Sequence, residues 1–156
     1  MTVAVLAILV ALATPSFQQF TRNNRVTAVN NDLITALNMT RSEAARRSVP
    51  VTVCASVDGA TCATAADWAS GWIVFQNAGA AGVVAQQSDI VQKWGSAPGG
   101  MVRFATDSAY IQYQPTGTTD VAATIDVSYQ GCQGMHMRHV QVSLVGMIST
   151  QLQQCP

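Results

Sequence analysis

The first fifty residues constrain this chain more than any other segment: an uncharged run from Met1 to Ala13 passes through Pro15 into a polar, helix-periodic stretch ending near Ser48. From Thr2 to Ala13 every residue except Thr2 is apolar, so the run can face water on no side and belongs in lipid or among like helices. Farther along, Val26, Val29, Leu33, Ala36, Leu37, Thr40 and Ala44 recur at helical spacing. Arg22, Arg25, Asp32, Arg41, Glu43, Arg46 and Arg47 take the positions between them, which predicts one buried stripe on an otherwise hydrated helix. Pro50 ends it, because the residue before a proline is pushed away from helical angles.

The twelve residues from Thr2 to Ala13, at about 1.5 Å each, reach roughly 18 Å, whereas a hydrocarbon core of about 30 Å needs about 20 residues. The run is too short to span as written. It lacks the basic flank and small-residue cleavage pattern of a secretory signal, and it continues into a helix. The expectation is that further residues precede Met1 and that the complete helix crosses a membrane during part of its life. Pro15 is compatible with this, since proline is better tolerated in membrane helices than in water-exposed ones.

The stretch MTVAVLAILVALATPSFQQFTRNNRV resembles the N-terminal helix of type IV pilins and pseudopilins. Small and branched apolar residues, a proline at Pro15, an aromatic at Phe17 and then a polar helix follow in the family's order. In that family a phenylalanine that is methylated after cleavage, and a glutamate used in assembly, would fall upstream of Met1, so neither role is assigned to a residue of this chain. Within the family, NDLITALNMTRSEAARRSVPVTVC followed by DWASGWIVF is similar to the GspH/FimT group of minor pilins and pseudopilins, of the FimU-like kind. The resemblance covers about residues 1 to 76, and more loosely 138 to 149. It implies an α+β fold: a long N-terminal helix packed on an antiparallel β-sheet head. Residues 1–25 would form the apolar half of the helix, for membrane and filament core, and residues 26–156 the head with the amphipathic half.

Composition agrees. The 156 residues, 49% of them hydrophobic, suffice for one core, and the helix takes about a third of the chain. Eight basic and eight acidic side chains cancel, so there is no overall field for nucleic acid, although five of the eight basic residues lie between Arg22 and Arg47. Past Pro50 the period becomes two. Runs at Val51 to Ala55, Gly71 to Gln76, Ile90 to Trp94, Met101 to Ala105, Tyr110 to Gln114, Ala122 to Tyr129 and His139 to Ser143 predict seven short antiparallel strands. Turns are expected at Asp58-Gly59, Pro98-Gly99-Gly100, Pro115-Thr116-Gly117 and Gln130-Gly131. The uncharged stretch from Asn77 to Gln87 reads as a mobile loop or hairpin tip.

Four cysteines suit an oxidising compartment. Sequential pairing, Cys54 with Cys62 and Cys132 with Cys155, is the simplest of three connectivities. A zinc site is the alternative, weakened by the lack of any C-x-x-C pair. Met135-His136-Met137-Arg138-His139 could attract copper or zinc, but on a strand His136 and His139 would face opposite sides. Ser42, Ser48 and Ser96 have no base and orienting acid in a recognisable signature. Asn38-Met39-Thr40 matches a glycosylation sequon inside a helix whose threonine belongs to the packed stripe. Trp68, Trp72 and Phe75 could form a sugar platform, although the resemblance makes them core. No catalytic residue, cofactor, metal or small-molecule substrate is assigned.

DNA-binding FimT-like proteins carry a Gly-Arg-x-Arg motif near the C-terminus. The corresponding segment here is Gly146-Met147-Ile148-Ser149, without either arginine, so DNA binding is not expected. Arg41, Arg46 and Arg47 remain as a candidate basic face. The resemblance thus implies a structural minor pilin that joins other minor subunits to prime or cap a type IV pilus, held in the inner membrane with its head in the periplasm before assembly. Val3, Leu6, Leu9, Val10, Leu12 and Pro15 would make the membrane and helix-packing contacts. The partners would be other minor pilins and the major pilin. The alternatives are a minor pseudopilin of a type II secretion system, whose partners would be pseudopilins, and a DNA-binding minor pilin in natural transformation.

Overall fold

A computed structural model describes residues 2–77, 79–97 and 100–156; for residues 2–17 it describes the helical backbone but not the side chains. One helix, α1 (Thr2–Arg47), runs without a break through Pro15. At about 1.5 Å per residue, its 46 residues make a rod roughly 70 Å long. All seven residues of the expected stripe, Val26, Val29, Leu33, Ala36, Leu37, Thr40 and Ala44, are buried. Thr40 lies in the apolar stripe at no polar cost, because its hydroxyl donates to the Ala36 carbonyl at 2.7 Å. The helix stops at Arg47. Ser48 takes a left-handed φ of 57°, and Pro50 leads into the first strand.

The head has two four-stranded antiparallel sheets. The first has the order β3-β2-β1-β5, with β1 (Val51–Ala55), β2 (Trp72–Gln76), β3 (Ile90–Trp94) and β5 (Tyr110–Tyr113). The second has the order β4-β6-β7-β8, with β4 (Val102–Thr106), β6 (Ala123–Tyr129), β7 (Met137–Val142) and β8 (Ile148–Gln153). The chain crosses to the second sheet at β4, returns to the first for β5 and then completes the second with β6, β7 and β8. Helix α1 packs on both sheets, against β1, β2 and β5 of one and β6, β7 and β8 of the other.

Alternation sorts the side chains of the first sheet. Val51, Val53, Ala55, Trp72 and Val74 join the helix stripe in the main core, whereas Cys54, Ile73 and Phe75 form a second cluster on the other face. That outer face is covered locally. The Cys54–Cys62 disulfide folds one loop over it, and Val84 from the segment expected to be a mobile loop packs against the same cluster. The segment therefore closes a small core instead of standing free. Ala78, and Pro98 and Gly99 of one expected turn, lie outside the described residues.

The tryptophans join the two sheets. Trp72 lies 6.3 Å from Trp94, 6.4 Å from Trp68 and 6.0 Å from Phe104 of the second sheet, ring centre to ring centre. Trp68 also donates from Nε1 to the Ser108 carbonyl at 2.9 Å. Trp68, Trp72 and Phe75 are all buried, and Phe75 faces away from the other two, so they do not form an exposed stacking platform.

Seven of the eight strands fall within two residues of their expected bounds. The eighth, β8, departs from expectation. Its sequence ISTQLQ has only two apolar residues, Ile148 and Leu152, because most of the strand is exposed and Ile148 alone of the two packs against the main core.

Candidate assembly interface

The helix engages the head at one end of the described contacts through a polar clasp. Arg22 lies with its guanidinium 5.9 Å from the Tyr129 ring centre. Asn23 Nδ2 is 2.9 Å from His136 Nδ1, and Arg138 Nη2 donates to Thr27 Oγ1 at 3.1 Å. These contacts join α1 to β6 and to the start of β7. On the water side of this clasp Phe20 is 63% exposed. Sequence reasoning missed the clasp because it pairs residues more than a hundred positions apart. The alternation of β7 was a usable signal: His136, Arg138, Val140 and Val142 share the helix-facing side.

His139 faces the opposite way. Its Nδ1 lies 2.5 Å from Asp126 Oδ1, and its Nε2 lies 2.9 Å from Gln141 Nε2. The structure therefore separates the two histidines, as the strand period required. Among the described residues no group of three His, Cys, Asp or Glu side chains converges as a metal site would. The cysteines pair as Cys54–Cys62 and Cys132–Cys155, each with Cα atoms 5.6 Å apart.

Of the candidate basic face Arg41, Arg46 and Arg47, two members pair with Glu43. Arg46 donates from Nε and Nη2 to the two Glu43 oxygens at 3.0 and 2.6 Å, and Arg47 Nε donates to Oε2 at 2.5 Å. Hydrogen bonds from Arg46 and then Arg47 hold the Glu43 carboxyl below its ordinary value. Arg47 Nη1 also reaches Gln76 Oε1 at 3.2 Å. Two of the three charges thus share one carboxylate, while Arg41 lies beside Gly117 on the loop between β5 and β6.

That loop supports the C-terminal hairpin. Thr119 donates from its backbone N–H to the Leu144 carbonyl at 2.9 Å and from Oγ1 to the Ser143 carbonyl at 3.0 Å. The turn closes on itself through Gly146 N–H to Ser143 O at 2.8 Å and Ser143 N–H to Met147 O at 3.0 Å. The backbone of the tip is fixed while its side chains point outward: Leu144, Val145 and Met147 are 56, 63 and 62% exposed. A hydrogen-bonded turn with exposed apolar side chains thus closes the hairpin between β7 and β8. This arrangement suits protein contact, because a pre-ordered backbone loses little entropy when apolar side chains are covered.

Val3, Leu6, Leu9, Val10, Leu12 and Pro15 lie on the helical backbone of α1, and their side chains are outside the described residues. Among the described residues no helix is long and apolar enough to cross a membrane.

The fold is similar to solved structures of the type IV minor pilin FimU of Pseudomonas aeruginosa in two crystal forms. One is 20% identical with a TM-score of 0.64, covering 88% of this chain and 92% of that one. The other is 18% identical with a TM-score of 0.62, covering 83% and 99%. At these identities the likeness establishes the fold. No curated protein matches the chain. Residues 29–146 match the family model described as type II transport protein GspH, a span that holds the buried stripe of α1 from Val29 onward, both sheets up to β7 and the hairpin turn as far as Gly146, and the chain therefore belongs to the GspH family.

Proposed function

We propose that this protein is a structural minor pilin that assembles with other minor subunits to prime or cap a type IV pilus. The observation that carries the proposal is the relation of α1 to the head. The first described residue of the buried stripe is Val26, so about half of the helix lies N-terminal to its packing on the sheets. The apolar sequence of that half needs lipid or neighbouring helices to cover it. Helices leaving lipid gain little from the hydrophobic effect, so close packing supplies specificity, and the small residues Ala4, Ala7, Ala11 and Ala13 suit such contacts. Residues 1–25 then act as anchor and filament core, and residues 26–156 act as the head that selects partners. The head works in the periplasm, where both disulfides are stable. No reaction is catalysed.

The second reading, a minor pseudopilin of a type II secretion system, is favoured by the description of the matching family model. Deleting the gene separates the two. Loss of surface pili and twitching with secretion intact supports the pilus, and loss of exported substrates with pili intact supports the pseudopilin. Leu9→Lys tests the architecture common to both. A charge at the apolar helix centre costs about 3 kcal/mol on insertion scales, so assembly should fail. Normal assembly by that variant would overturn the anchor role.

A further inference from the structure

We infer that the free edge of β8 is a strand-addition site for an extended, charge-free segment of a different chain in the same assembly. Ser143 and Met147 form a hydrogen-bonded pair at the hairpin end, and the antiparallel register runs on from Val142 opposite Ile148 to Met137 opposite Gln153. Alternation along such a ladder turns the backbone groups of Ser149, Gln151 and Gln153 towards β7. Those of Ile148, Thr150 and Leu152 point away from it. Beyond the ladder, no hydrogen bond among the described residues reaches these three.

The other sheet edges are each blunted. Strand β3 carries Lys93 and pairs with β2 through an irregular register at Val74/Phe75. Strand β4 carries Arg103 and packs against the short 3-10 helix Trp68–Ser70. Strand β5 has only four residues and is turned by the bridge from Tyr113 to Thr119. Strand β8 has six residues with no charge, no proline and no register shift against β7. Charges, prolines and bulges are the devices that keep edges from pairing, and β8 lacks all of them.

The chemistry of the occupant follows from its surroundings. Residues 139–156 include no Asp, Glu, Lys or Arg, and Arg138, opposite Leu152, is directed across to Thr27 of the helix, so a charged strand would lose hydration along this edge without a partner in β8. The apolar tip of Leu144, Val145 and Met147 leads directly into the edge, and Leu152 near its far end is 48% exposed. An added strand with alternate apolar residues would cover both. A second copy does not fit. Two β8 edges would pair antiparallel about a two-fold axis normal to the sheet, which would reverse the helix lying against it. Here the inference rests on the proposed function, because subunits in one filament or membrane need helices of one sense.

The test uses the full chain in detergent micelles with the synthetic peptide acetyl-(Thr-Val)3-amide, read by residue-resolved amide hydrogen exchange. Saturating peptide should slow exchange at Ile148, Thr150 and Leu152 at least tenfold and leave Ser149, Gln151 and Gln153 unchanged. The same peptide N-methylated at alternate residues should do nothing. Thr150→Pro, tolerated because the N–H it removes points off the edge, should abolish the effect, and Leu152→Lys should weaken it at least tenfold. Uniform slowing, or none, overturns the inference. So does strong protection of these three amides before peptide is added, which would mean that a second copy already occupies the edge. None of these outcomes depends on piliation, so failure here is distinguishable from failure of the pilin assignment.

Discussion

Gly146 packs against the carbonyl oxygen of Gly117 so closely that a Cβ at Gly146 would collide with it, and Gly146 also holds a left-handed φ of 74°. This contact, together with the two Thr119 hydrogen bonds, sets the apolar tip on the loop beside Arg41. Gly146→Ala meets both the strained φ and a rigid backbone oxygen, so it should destabilise the protein by about 2–4 kcal/mol. Gly131→Ala is the control: its φ is 75°, with nothing within 4 Å of the added Cβ. It should cost only about 1 kcal/mol. Chemical denaturation of the two variants checks the difference, and equal costs would show that the tip yields.

Tyr113 is fully buried, and its hydroxyl has no hydrogen-bond partner among the described residues. Burial pushes its pKa up to about 12, with Arg41 pulling weakly the other way. Removing an unsatisfied buried hydroxyl forfeits no bond and relieves a desolvation cost of about 1–3 kcal/mol. Tyr113→Phe should therefore leave stability unchanged or raise it, as a shift in thermal midpoint would show. A clear loss of stability would mean that the hydroxyl is bonded.

Asp58 organises the small disulfide loop. Its Oδ1 accepts from the backbone N–H groups of Ala60 and Thr61, both at 2.8 Å, and its Oδ2 accepts from Thr61 Oγ1 at 2.8 Å. These bonds, the Thr61 and Ala60 backbone donors first, hold the carboxyl well below the usual carboxylate range. Because the folded pKa is depressed, the stabilisation is fully present above the unfolded value of about 3.9. It is lost as pH falls below that towards the folded value. Amides of Ala60 and Thr61 should stay protected from exchange at pH 5 and lose protection only in stronger acid, whereas Asp58→Asn should show no such transition.

The missing arginine pair gives a direct test of nucleic-acid function. The protein should bind duplex DNA only weakly and in a salt-sensitive manner in gel-shift titrations. The double variant Met147→Arg, Ser149→Arg should bind more tightly to any sequence, because the added contacts are to phosphates. Clear low-micromolar binding by the unmodified protein near physiological salt would move DNA capture to first place.

The sequence by itself determined the helix, its buried stripe and most strands. Val26 to Ala44 needed only local periodicity: one face meets a core whatever that core contains, so a 3.6-residue spacing is legible without knowing the partner. Strands β1 and β2 were legible for the same reason, through β-branched and aromatic runs bounded by turns. Only the tertiary structure decided how charges and edges are used. Arg46 and Arg47 count as two basic residues in the sequence but share Glu43 in space. His136 and Arg138 look like part of a surface cluster, yet they clasp the helix at Asn23 and Thr27. Strand β8 meets the main core through Ile148 at its start, which imposes little pattern on the rest, and its register comes from hydrogen bonds to β7, which carry no side-chain signature. Patterns that answer to burial are written locally, whereas those that depend on which backbone lies alongside appear only when the chain is folded.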